Sequence, residues 1–182
     1  DATTTGTLYA KWVEYIPTVV EVRAMADDTE TKVSGVVNFI SGKNIYIQDA
    51  TAGILVYTLE TPNCQVGDKI VAKGVKVMYG GAPEVKSAVI ESTEAAAVAA
   101  PTVFETLGAL VADSLEHKYF ATNVQIAGVT IVEYDSYNNP TVQDATGEKA
   151  LCYKMVLDPV AFPIGSKVTV TAVAGWYNGF QF

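Results

Sequence analysis

A chain of 182 residues, 49% apolar and 18% charged, can fold as one large unit or two small ones, and its composition is not that of a disordered protein. A net charge of −8, with Arg23 the only arginine among twelve basic residues, argues against affinity built on phosphate neutralisation. No apolar run reaches the ~20 residues that span a bilayer, and one histidine with two scattered cysteines fits neither a zinc centre nor a nucleophile–histidine triad.

Residues 1–17 read as an N-terminal extension. Its first seven residues are small and polar, a frayed terminus or, in the alternative, the stub of a processed tether. Tyr9 to Ile16 could add a strand. Pro17 and Thr18 sit where a helix starts, and Val19, Val22 and Met25 fall on one face of a short helix that Asp27-Asp28 ends. Asp27-Asp28-Thr29-Glu30 reads as a solvated acidic loop, with a calcium site as the rival reading.

Strand patterns follow. Thr31 to Ile40 alternates around Gly35, which suggests a bulge or a sharp bend. Ser41-Gly42-Lys43-Asn44 is a hairpin turn. Ile45–Gln48 and Ile54–Tyr57 flank a polar turn, and Thr58 to Val66 is a loop. Lys69 to Tyr79 is a long strand that Gly74 lets bend, and Gly80-Gly81 returns the chain into Glu84–Glu91. Residues 94–101, rich in alanine, form a linker. Thr102 to Lys118 reads as a second helical segment, with Thr102 and Glu105 at capping-box spacing and Phe104, Leu107, Leu110, Val111 and Leu115 as its stripe. Strands return at Asn123–Tyr134, Thr141–Gln143, Lys149–Tyr153, Lys167–Trp176 and Phe180–Phe182.

The pattern is written twice. Val33-Ser-Gly-Val36 matches Ile126-Ala-Gly-Val129, 93 residues on; Gln48-Asp-Ala-Thr51 matches Gln143-Asp-Ala-Thr146, 95 on; Val66-Gly-Asp-Lys69 matches Ile164-Gly-Ser-Lys167, 98 on. An offset that grows in loops is that of a duplicated domain, giving units at 18–93 and 102–182. Five short strands with a glycine-bent first strand remove their edges by closing. The expected fold is therefore mainly β, two tandem five-stranded Greek-key barrels of OB-fold type, each preceded by a short helix. Ile70, Ala72, Gly74 and Met78 should face one interior, and Val168, Val170, Ala172 and Trp176 the other. An immunoglobulin-like sandwich would want about seven strands and a Cys…Trp…Cys framework.

The repeated turn carries Gln48, Asp49, Thr51 and Gly53, then Gln143, Asp144, Thr146 and Gly147. Its physics is structural: the aspartate accepts backbone N–H groups two or three residues on, the glycine supplies a positive φ, and the glutamine ties the turn. His117 is expected at the end of the second helix, where the dipole suits it. Cys64 and Cys152 are expected as two buried thiols, with a disulfide between them as the alternative. No catalytic residue, metal site or cofactor is expected, so the chain reads as non-enzymatic. Aromatic rings are the remaining resource, because bases and sugar rings both pack on them. The candidate ligand residues are Lys43, Tyr46, Tyr57, Lys73 and Tyr79 in the first unit and Tyr134, Tyr137, Tyr153 and Tyr177 in the second.

Residues Thr18–Asp27, Val33-Ser-Gly-Val-Val37, Ile45–Thr51 with Gly53-Ile54, Val66–Lys69 and Tyr79-Gly-Gly81 resemble the OB-fold modules of secreted bacterial nucleases and bacterial surface lipoproteins. The resemblance covers residues 18–91 well and 102–182 more loosely. It implies an exported protein, periplasmic or at the cell surface, with a lipid anchor upstream of this chain and no membrane span. It also implies single-stranded nucleic acid as the ligand, with a cell-surface glycan or a protein partner as the alternative.

Overall fold

Residues 12–112, 116–177 and 179–182 are described by a computed structural model. Thr18 opens its first regular element, α1 (Val19–Ala24), in a capping box: Thr18 Oγ1 accepts from Glu21 N, and the Glu21 carboxylate accepts from Thr18 N at 2.8 Å. Six residues cannot hold a helix alone. Val19 and Val22 are fully buried and Met25 packs beside them, so tertiary burial holds it. Of the expected strand at Tyr9–Ile16, residues 9–11 lie outside the described residues and 12–16 carry no regular structure.

Five strands follow: β1 (Thr29–Ser41), β2 (Asn44–Gln48), β3 (Gly53–Thr58), β4 (Asp68–Tyr79) and β5 (Ala82–Ala95). They close into a barrel in the order β1-β2-β3-β5-β4, antiparallel except for the parallel pair β3·β5. β1 serves two neighbours by bending at Gly35–Val36, where Val36 pairs with both Lys69 on β4 and Gln48 on β2. A Cβ on Gly35 would lie 2.9 Å from the Gln48 carbonyl oxygen, so the crossing needs glycine. Val33, Val37, Ile45, Ile47, Ile54 and Ile70 are fully buried inside, each contributing about 1.5–3 kcal/mol.

Two positions depart from strict alternation. Asn38 is a bulge residue on β1, so Phe39 pairs with Tyr46 and faces outward while Ile40 turns to the core. On β4, Ile70, Ala72 and Gly74 face inward as expected, but the register shifts between Lys73 and Val75. Lys76 is buried in the same phase, Val77 is buried as well, and Met78, expected inside, is exposed at the end of the strand. Lys76 tolerates burial because its ammonium lies 2.6 Å from the Asp27 carboxylate.

The second half begins differently from the expectation. Thr102–Phe104 is a strand, β6, parallel to β7 (Asn123–Tyr134), and α2 is only Leu107–Ala112. Thr106, not Thr102, caps it, its Oγ1 accepting from Ala109 N at 3.1 Å. Leu115, placed on the helical stripe, lies outside the described residues. The sheet continues through β8 (Pro140–Gln143), β9 (Lys149–Leu151), β10 (Lys167–Val173), β11 (Gly175–Trp176) and β12 (Phe180–Gln181), in the order β10-β7-β8-β9-β12-β11.

Pairing senses repeat those of the first half: β9·β12 is parallel, like β3·β5, and β11·β12 antiparallel, like β4·β5. The second sheet does not close as the first does. The expected strand Lys167–Trp176 is interrupted at Ala174, whose N–H and C=O bond to Thr122 and Ala121, and β12 is two residues long where β5 is fourteen. A hairpin that short cannot pair along β10. The halves keep separate cores, the second formed by Leu107, Leu110, Val124, Ile126, Ile131 and their neighbours. β5 also runs to Ala95, so the connector begins two residues later than the expected linker.

Candidate ligand-binding face

Asp49 explains why the turn recurs. Its Oδ1 accepts Thr51 N (2.7 Å), Thr51 Oγ1 (2.6 Å) and Ala52 N (3.0 Å), building the turn. Its Oδ2 accepts Val19 N at 2.8 Å, the first N–H of α1. Asp144 does the same: Oδ1 takes Thr146 N, Thr146 Oγ1 and Glu148 N, and Oδ2 takes Leu107 N at 2.7 Å, the first N–H of α2. One carboxylate thus closes a hairpin and caps a helix thirty-odd residues earlier. Partial burial works to raise the pKa of both acids, but these donors outweigh it and hold both below the ordinary 3.8. Both oxygens of each carboxylate serve the fold.

The two glutamines and two glycines of the turn diverge. Gln143 Nε2 donates to Gly147 O within its own turn, and Gly147 has the expected positive φ of 92°. Gly53 does not have a positive φ. Its hydrogen instead admits the backbone of the second half, since a Cβ there would lie 2.3 Å from Phe120 O. Gln48 also points to the other half. Its Oε1 accepts from Asn38 Nδ2 (2.7 Å) and from Asn123 N (3.0 Å), while Asn38 Nδ2 also donates to Ala121 O and Asn123 Nδ2 donates to Asn38 Oδ1.

These bonds surround a junction of Ala82, Phe120 and Ala121 packed on Tyr46, Leu55 and Trp176. Arg23 adds bonds to Glu116 O and His117 O. His117 is in this turn at φ 55°, not at a helix end. Its ring stands edge-on to Trp176 at 4.8 Å and its Nδ1 is buried without a partner. Burial, then the Arg23 charge, pushes its pKa below the ordinary 6.5, so it is neutral at pH 7.

The outer face of β1-β2-β3 is therefore divided. The row Gln48–Gly53 and the Gly80-Gly81 turn are covered by the second half, with Trp176 Nε1 3.0 Å from where a Gly81 Cβ would stand. Next comes the cross-strand row Phe39–Tyr46–Leu55–Glu84. Tyr46 touches Phe120 edge-on at 6.2 Å and Phe39 at 5.8 Å, and is half-buried. The row Ser41–Asn44–Tyr57 lies open beside it. Tyr153 comes beside this face from the second half together with its neighbour Lys154. Lys154 lies over the Tyr153 ring at 5.4 Å and donates to Ser41 Oγ at 2.9 Å. Exposures of 43% for Phe39, 37% for Tyr57 and 50% for Tyr153 leave three rings open to a ligand around the half-buried Tyr46.

Of the candidate residues, the fold thus brings Tyr46, Tyr57 and Tyr153 to one face, with Lys43 in the adjoining turn, where its Nζ donates to the Leu59 carbonyl. Tyr79 and Tyr177 are exposed at the far, covered end, Tyr177 against Gly80. Lys73 is exposed on β4, which neighbours neither β2 nor β3. Tyr134 packs on the second core and donates to Phe162 O at 2.6 Å, and Tyr137 is exposed in the turn after β7. Phe39, Ser41 and Lys154 were not legible as site residues. The bulge at Asn38 brings Phe39 out, and Lys154 is 113 residues from its partner.

Charge near the face is sparse. Lys32, Lys69, Lys76 and Lys86 are engaged with carboxylates elsewhere. Glu84 is buried in the aromatic row, and that burial raises its pKa against the opposing pull of Lys86. Asp27 and Asp28 are taken up by Lys76 and Lys86. Among the described residues no group of three or more His, Cys, Asp or Glu side chains could hold a metal ion. Cys64 and Cys152 are free thiols, but only Cys152 is buried as expected, Cys64 being partly exposed; burial pushes Cys152 up to about 12. No helix among the described residues is long and apolar enough to cross a membrane. No known family and no curated protein matches the chain.

Proposed function

We propose that the chain is a non-enzymatic, exported tandem OB-fold protein that binds an extended polymer across the outer face of β1-β2-β3. The ring order β1-β2-β3-β5-β4 supports the OB-fold reading, and the outer face of the second and third strands is where such barrels take extended ligands. The observation that carries the proposal is the strip of Phe39, Tyr46, Tyr57 and Tyr153, three of them open rings, beside Lys43 and Lys154.

The family resemblance favours single-stranded nucleic acid. Stacking contributes about 1–3 kcal/mol per base. Two lysines would engage about two phosphates, for a salt slope of roughly −1.4, so binding is weak, on the order of tens of micromolar. A glycan is the second reading, favoured by Glu84 in the strip and the ion pairs that occupy four lysines elsewhere. Anisotropy titrations with labelled oligonucleotides at low salt, beside a glycan array, separate the two. Tyr57→Ala should weaken whichever ligand binds several-fold and Tyr137→Ala should not. No binding of either class, or indifference to Tyr57→Ala, refutes the reading.

A further inference from the structure

The first half supplies a template for an edge left open in the second. β4 is bonded on both sides, by β1 along Thr29–Val36 and by β5 along its whole length. Its residues Lys69–Val75 take the stretch Lys86–Glu94 as their partner. The equivalent strand, β10, pairs with β7 alone among the described residues, because β12 reaches only Gly175 and Trp176 of β11.

The side chains record the same difference. Ile70 is fully buried and Gly74 is buried, whereas their counterparts Val168 and Ala172 pack on the second core but are only partly buried. In the first half Ala88 and Ile90 of β5 pack on that core. Edge strands in stable proteins are blunted by inward charges, proline or bulges facing solvent. Lys167-Val-Thr-Val-Thr-Ala-Val173 has one charge, at its start, and neither proline nor glycine. Beyond Lys167 it is an uncharged strand of high β-propensity with one row of backbone groups unpaired among the described residues.

We propose that the free edge of β10 binds an extended peptide by strand addition. The peptide runs antiparallel to β10 for about seven to ten residues. It carries small or β-branched side chains at alternate positions, as Ala88 and Ile90 do in β5, to cover Val168 and Ala172. This surface is separate from the aromatic strip, so the two proposals stand or fall independently.

The test is a synthetic peptide with the sequence of residues 86–95, titrated into the intact chain and read by amide hydrogen exchange. Protection of Lys167–Val173 should rise about tenfold or more, while amides of β4 do not change. Two N-methylated versions complete the test. Methylating the alternate amides that face β10 should abolish binding, and methylating the other set should not. The proposal is overturned if both methylated peptides bind alike, if protection does not change, or if the chain alone already occupies this edge by forming a dimer in sedimentation.

Discussion

The two halves share a turn, a helix tie and the sense of every corresponding strand pair, yet one closes and the other stays open. The difference lies in one hairpin. β4 and β5 run together for the length of the barrel, while β11 and β12 pair over two residues each. The aspartate that closes the hairpin and caps the helix acts locally and recurs in both halves; closure depends on a long strand that must reach across the barrel, and that feature is not shared. The open half instead spends its Phe120–Asn123 segment covering part of the closed barrel's outer face, leaving the strip around Tyr57 exposed.

The largest expected effect sharpens the core contrast. Ile70→Ala, in the closed barrel, should cost about 3–4 kcal/mol, while Val168→Ala, at the matching partly buried site, should cost about 1 kcal/mol or less, both measured by denaturant unfolding. Equal losses would remove the distinction between the halves.

Next comes the junction. Gly53→Ala drives a Cβ into the backbone of Phe120 and Ala121, and should cost about 2 kcal/mol and expose Trp176, seen as a fluorescence red shift. Gly147→Ala meets its nearest neighbour, Gln143 Nε2, only at 3.9 Å and disturbs a positive φ instead, so it should leave the Trp176 signal in place.

A smaller effect tests the repeated aspartate. Asp49→Asn keeps one acceptor but cannot accept Val19 N, and should cost about 1–2 kcal/mol. Because the native carboxyl titrates below 3.8, its contribution is complete above that value and is lost as pH falls through the lower native one. The wild-type stability curve should therefore fall more steeply with acid than that of Asp49→Asn. The smallest effect on stability, within about 0.5 kcal/mol, is expected for Tyr57→Ala, whereas Tyr46→Ala, which loses the Phe120 contact, should cost about 1–2 kcal/mol by thermal unfolding.

Much of the strand layout was legible because alternation and turn residues are local signals. The turn at Gln48–Gly53 and its repeat marked two units for the same reason. At Thr102–Phe104 two local signals competed, a capping-box spacing and a β-branched, aromatic triplet. Pairing with β7 decided for the strand, and no residue nearby announces that pairing. Gly53 and Gly147 look interchangeable in sequence, but one answers to a φ angle and the other to Phe120, 67 residues away. Phe39 was missed because the bulge at Asn38 reverses the side chains beyond it, whereas Met78 keeps the phase of Ile70, Ala72, Gly74 and Lys76 and is exposed because it lies at the end of β4, which alternation does not report. The candidate face was legible only as scattered tyrosines, since its shape comes from the docking of the halves.

The most direct test of the contrast is native-state hydrogen exchange on the peptide-free chain, comparing β4 with β10. Amides of Asp68–Tyr79 should exchange only through global opening, and those of Lys167–Val173 not bonded to β7 should exchange at least about a hundredfold faster. Equal protection along both strands would mean that the second sheet is closed as well, and would contradict the account.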